Sequence, residues 1–177
     1  GVVVSLIPNL AESVIKNKQK DVENKITQAL GMLLFLTVPM TLGVSFLAKP
    51  IWTLFYGNSQ YGPSVLSYYI FVGLFVGLFT AMVTTLQSLK DYKAVFTSLI
   101  VGVIVKLLLN TNLLIAFNKM HFPAYYGVIT ASILGYLVSF VVCLFILGLK
   151  YKINYEKVLK DFVEIMCASL LMIVVLF

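Results

Sequence analysis

The chain is poor in charge. Of its 177 residues 11% are Asp, Glu, Lys or Arg while 60% are hydrophobic, and mean hydropathy is +1.00, against roughly 25% charged residues in ordinary soluble domains. A soluble core of this length would need polar faces to cover it, so that class is excluded. Arginine is absent, and all thirteen basic residues are lysines spread over several connections rather than gathered on one face among exposed aromatics. This argues against nucleic acid as a partner. There is one histidine, His121, in a polar connection where it reads as solvated. No acid and base are paired at depth, so enzyme chemistry is disfavoured. The two cysteines, Cys143 and Cys167, sit inside apolar stretches, which favours small packing residues over a disulfide or metal pair. Neither a metal nor a cofactor is expected. The opening GVVVSLIPNL lacks a basic region and a cleavage site, arguing against a signal peptide.

What the chain does have is long apolar runs. Blocks of twenty or more residues are long enough to cross a hydrocarbon core about 30 Å thick, and the short alternating segments of a barrel do not occur. The expected fold is an all-α polytopic transmembrane bundle. Four complete spans fall at about 26–48, 65–87, 94–117 and 125–149, with partial spans at 1–15 and 162–177. With partial spans at both ends, the sequence reads as a fragment of one transmembrane domain. The connections 16–25, 88–93 and 150–161 carry four, two and four lysines, whereas the others hold only Lys49 and Lys119. The positive-inside rule therefore places those three in the cytoplasm of a multi-pass protein. Trp52, Tyr56, Tyr61, Tyr68, Tyr69, Tyr125 and Tyr126 on one side, and Tyr92, Tyr151 and Tyr155 on the other, read as interfacial belts. KPIWTLFYG predicts a short helix with Pro50 at its start and Gly57 at its end, laying Trp52, Phe55 and Tyr56 on the lipid boundary.

Three inward features bear on function. In the second span Gly73, Gly77, Thr80, Thr84 and Gln87 recur at steps of four and three and share one helix side. Such a stripe fits close helix packing and a cavity wall equally. The ridge Ser132, Gly135, Ser139 and Cys143 in the fourth span reads as packing. Pro39 removes a backbone bond in the first span, so a kink is expected there, with Thr37, Thr41 and Gly43 available to the freed backbone. A static kink is favoured slightly over a moving hinge. Most telling is IVGVIVKLLLNTNLLI, residues 100–115, which puts Lys106 at the centre of a span. An ammonium there costs on the order of 2.5–3.5 kcal/mol and must face protein or water. Ser98, Gly102, Lys106 and Asn110 recur every four residues as one polar stripe. Lys106 either pairs with backbone carbonyls of a neighbouring helix or with a carboxylate from outside this sequence, since none lies at mid-depth within it, or lines a hydrated cavity; the cavity is favoured.

The stretch SLIPNLAESVIKNKQKDVENKITQALGMLLFLTVPMTLGVSFLAKPIWTLFYG resembles the second half of bacterial MOP-superfamily exporters, in the branch holding stage V sporulation protein B and the MurJ-type lipid II flippases. LQSLKDYKAVFTSLIVGVIVKLLLNTNLLI is similar to that branch's LQGLGK turn and its span with Lys and Asn, and YGVITASILGYLVSF to the small-residue span that follows. It departs in having no arginine, and in SLKDYK where the turn usually has glycine. The resemblance implies one lobe of a MATE/MurJ-like two-lobe transporter working by alternating access, partnered by an N-terminal lobe not contained here. It also implies a substrate class, a lipid-linked anionic oligosaccharide carried through the bilayer, such as an undecaprenyl-diphosphate cell-wall precursor. Another polysaccharide-repeat flippase, or a MATE-type drug or metabolite exporter, is the alternative. Lys106, Asn110, Gln87, Thr84 and Thr80 are the substrate-cavity candidates, with Pro39, Gly73, Gly77, Gly102 and Gly135 as hinge or packing positions.

Overall fold

A computed structural model of the chain describes residues 19–151 and 153–176. The expected partial span 1–15 lies outside them. Six helices and no strand occur among the described residues: α1 Gln19–Phe46, α2 Ala48–Tyr56, α3 Gly62–Ser88, α4 Tyr92–Lys119, α5 Tyr125–Tyr151 and α6 Glu156–Leu176. Four of them, α1 from Lys20 together with α3, α4 and α5, are long and apolar enough to cross a membrane. The chain is an all-α, multi-pass membrane bundle.

The helices outrun the apolar spans at their lysine-rich ends. Residues 19–25, expected in a connection, are the first two turns of α1, and α6 starts at Glu156 inside another expected connection. Lys, Glu and Gln are good helix formers, and hydropathy marks only the part of a helix that lies in hydrocarbon. Val22, Ile26 and Leu30 explain why α1 starts early: spaced four apart, they share one buried face. They pack with Met82 and Leu86 of α3 and Cys143 and Leu147 of α5 in the main core. Leu34, Val38 and Leu78 continue that seam toward the other end.

Packing runs in the order α6, α1, α3, α5, α4, each helix resting chiefly on the next. Side chains off this array, such as Phe35, Leu107, Phe145 and Leu149, are exposed. A few polar links cross between helices. Ser45 Oγ contacts Ser67 at its carbonyl (2.8 Å) and hydroxyl (3.1 Å), and Tyr68 Oη lies 2.9 Å from Thr130 Oγ1. Lys150 Nζ donates to Asp91 Oδ2 at 2.6 Å, tying the α3–α4 turn to the end of α5. The Tyr155 hydroxyl donates to Leu144 O at 3.1 Å, and burial pushes its acidity well below that of an ordinary tyrosine.

The two tight turns are closed without glycine. At the end of α3, Asp91 N donates to Leu86 O and Lys90 N to Gln87 O, both at 2.9 Å, with Lys90 at φ 58°. At the end of α4, Phe122 N donates to Phe117 O (3.0 Å) and His121 N to Asn118 O (3.1 Å), with His121 at φ 61°. These are Schellman motifs whose left-handed residue is usually glycine, and each side chain there costs about 1–2 kcal/mol. The departure SLKDYK thus falls on the residue where the backbone most wants glycine.

α2 forms as expected. Gly57 ends it at φ 75°, donating from its N–H to Thr53 O at 3.1 Å. The three aromatic residues of α2 are not equally open. Phe55 and Tyr56 are exposed, but Trp52 is only half-exposed, because its indole lies against Gly62 at the start of α3, where a Cβ would fall inside the ring. It stacks on Tyr56 at 4.7 Å between ring centroids.

α1 continues unbroken through Pro39. The carbonyl deprived of its donor is that of Phe35, one turn earlier. The Thr37 hydroxyl, expected to help there, donates instead to Leu33 O at 2.7 Å.

Candidate functional site

The polar stripe of α4 is built into its crossing with α5. Ser98 and Gly102 are fully covered, and Lys106 and Asn110 half-buried. The helices approach closely because the contact residues are small. A Cβ on Gly135 would stand 2.9 Å from Lys106 Cβ and 3.1 Å from Gly102 O, and one on Gly102 would stand 2.7 Å from Gly135 O and overlap the Ser139 hydroxyl. Gly102 and Gly135 therefore sit where α4 and α5 approach too closely for a side chain. Ser132, Ser139 and Cys143 are buried along the same face of α5, in keeping with the packing expected of that ridge.

Beside this crossing, between α3, α4 and α5, lies a cavity of about 210 Å³. Its polar lining is Lys106, Ser139 and Tyr136, and its apolar walls are Phe79, Leu99 and Val103. Lys106 has no ion-pair partner among the described residues. A mid-span lysine without an acidic partner, lining a mostly apolar cleft, is suited to an anion. Asn110 does not line the cavity, and its buried Oδ1 has no hydrogen-bond partner among the described residues.

The α3 stripe is not brought to Lys106. Gly73, Thr80 and Gln87 are exposed, Gly77 and Thr84 half-buried, and the stripe lies across the helix from the core residues Leu78, Met82 and Leu86. No described atom lies within 4 Å of a Cβ built on Gly73 or Gly77, so no described helix packs closely there. The Thr80 and Thr84 hydroxyls donate to Val76 O (2.7 Å) and Ala81 O (2.9 Å).

Sequence reasoning missed the cavity-facing part of Ser139, which it placed in a packing ridge; its spacing of four from Gly135, which abuts Lys106, was the available signal. It also missed a groove of about 440 Å³ along the α1–α6 seam, lined by Asp161 and Glu164. Asp161 Oδ2 lies 3.3 Å from the Cβ position of Gly31, inside the expected span 26–48, so a carboxylate does reach into the apolar zone. It does so at the other end of the packing order from α4. Cys143 and Cys167 are both free.

Comparison with known proteins bears on what this arrangement serves. The family model described as lipid II flippase MurJ matches residues 1–177. Lipid II flippase MurJ of Bacillus subtilis (strain 168) is 30% identical over 173 residues, which is 96% of this chain and 31% of that protein. The chain thus spans about a third of the length of the curated relative it matches. No solved structure matches it. With the family model matching its whole length and a relative 30% identical over nearly all of it, the chain belongs to the MurJ lipid II flippase family.

Proposed function

We propose that this chain is part of one lobe of a flippase that carries an undecaprenyl-diphosphate-linked cell-wall precursor outward by alternating access. The observation that carries this reading is the unpaired Lys106 ammonium at the centre of an apolar helix, lining a cavity, in a chain of this family. A low-dielectric cleft makes the attraction between an ammonium and a diphosphate strong and weakly screened. The rest of the family's length supplies the second lobe and the remaining cationic contacts. The exposed α3 stripe, Gly73 to Gln87, faces the central cavity between lobes, which accounts for small and polar residues on a side no described helix covers.

The test is transport by the full-length protein in vesicles loaded with the diphosphate-linked precursor. Protein-dependent appearance of its head group in the opposite leaflet is expected. Export of a neutral or cationic solute with no movement of the precursor would sink the proposal.

The lysine-rich ends of α1, α4 and α6 lie in the cytoplasm on this reading, and α2 outside. In a background lacking the exposed Cys167, Asn58→Cys is expected to react with an impermeant maleimide added to whole cells, and Asn154→Cys only after permeabilisation. The reverse pattern overturns the orientation.

A further inference from the structure

The hydroxyls buried between these helices mostly turn back on their own backbone. Ser98, Ser132, Ser169, Thr27 and Thr85 each donate to a carbonyl one turn earlier at 2.7–3.1 Å, which satisfies a hydroxyl in an apolar interior without a second partner. Ser139 and Thr41 depart from this, and of the two only Ser139 lies beside Lys106. It is 4% exposed, its side chain lines the Lys106 cavity, and it makes no hydrogen bond with any described residue. The cause is local. Its hydroxyl lies over Gly102, in the space a Cβ there would fill, so the missing side chain on α4 lets Ser139 point across the crossing. Lys106 stands one turn further along α4 from Gly102, on the same side.

The side chains of Lys106 and Ser139 thus line one cleft, and neither is bonded to the other or to a described acceptor. An ammonium offers three donors and no acceptor, a hydroxyl one donor. No acidic side chain lines the cavity. Leaving such groups unpaired in an apolar site is costly, and a negatively charged oxygen acceptor answers both at once. The volume, about 210 Å³, is below the roughly 300–1,000 Å³ of sites that enclose drug-sized ligands. It suits one small charged group and excludes a saccharide chain.

We infer that Lys106 and Ser139 form a two-donor site for a single oxyanion of the phosphate or carboxylate type, with Ser139 fixing where its oxygen sits. Two sources share that chemistry: a phosphate of the lipid-linked substrate, or a carboxylate from the part of the protein beyond these residues. Only the first rests on the flippase reading.

The experiment uses the full-length protein in detergent micelles and follows melting temperature with inorganic pyrophosphate as the probe, at constant ionic strength. If substrate phosphate is the source, pyrophosphate raises the melting temperature of the wild type. Ser139→Ala then requires about tenfold more of it for the same shift, as for one hydrogen bond to a charged group, and Lys106→Met shows no shift. If an internal carboxylate is the source, pyrophosphate leaves the wild type unmoved. Ser139→Ala and Lys106→Met then each lower the melting temperature by about 2–4 °C, while Lys106→Arg keeps it. Ser139→Ala matching the wild type in both readouts overturns the site, whether or not the precursor is transported. Failure of the wild type to move the precursor counts against the flippase reading alone and leaves the melting comparison intact.

Discussion

Gly102→Val is expected to lower the stability of the bundle by about 3 kcal/mol, the upper end of what overpacking a tight contact costs. A single Cβ at this position already overlaps the Ser139 hydroxyl and comes within 2.7 Å of Gly135 O. Backbone cannot give way as a flexible side chain can, so the added bulk must lever α4 away from α5. Because α4 rests on α5 far more than on any other described helix, little else among the described residues holds it. Gly73→Val is the matched control: the same substitution in the middle of an apolar helix, with nothing described within 4 Å of the new Cβ. Its effect should stay within about 0.5 kcal/mol. Denaturant titration of both variants in micelles makes the comparison, and equal losses would show that the α4–α5 crossing is not the tight contact described.

Lys106→Met is expected to slow precursor transport by the full-length protein about tenfold or more, the kinetic equivalent of losing a charged hydrogen bond worth roughly 1.5–3 kcal/mol. Methionine keeps the length and loses the charge, and the variant should insert at least as well because a cation at mid-span is costly. Lys106→Arg should retain most of the rate, since the positive charge persists while the shape of the donor set changes. Lys93→Met, on an exposed residue of the first turn of α4, should change little, being screened by water and salt. Asn110→Ala should fall between them, because it removes a neutral group that does not line the cavity. Normal transport by Lys106→Met would make the lysine idle in the cycle.

Helix number and placement were legible because a span must hold about twenty apolar residues and nothing else in a sequence does. Helix ends were not, as Gln19–Lys25 shows. Charged residues extend a helix into water as readily as they form a loop, and only the buried spacing of Val22 and Ile26 betrays the difference. Spacing also told which residues share a side but not what that side meets. Gly73 and Gly77 match Gly102 and Gly135 in size, yet the first pair is open and the second closed. The midplane lysine stood out at once, because a lone cation in hydrocarbon demands an explanation. Its companion Ser139 did not, because a serine in a small-residue ridge is satisfied by packing in most helices, and only the position of its hydroxyl over Gly102 shows otherwise. Trp52 was placed at the lipid boundary from its position on a short surface helix, and what spacing could not show is the slot against residue 62, which exists because that residue has no side chain.

That slot has an optical consequence. Trp52 is the sole tryptophan of these 177 residues, and its ring is held between Tyr56 and the first turn of α3. Indole emission moves to longer wavelength as water replaces an apolar neighbour, so within this stretch the intrinsic fluorescence reports one event, the seating of α2 against α3. α2 follows directly on α1, so the segment carries its own unlabelled probe of how the end of α1 is joined to α3.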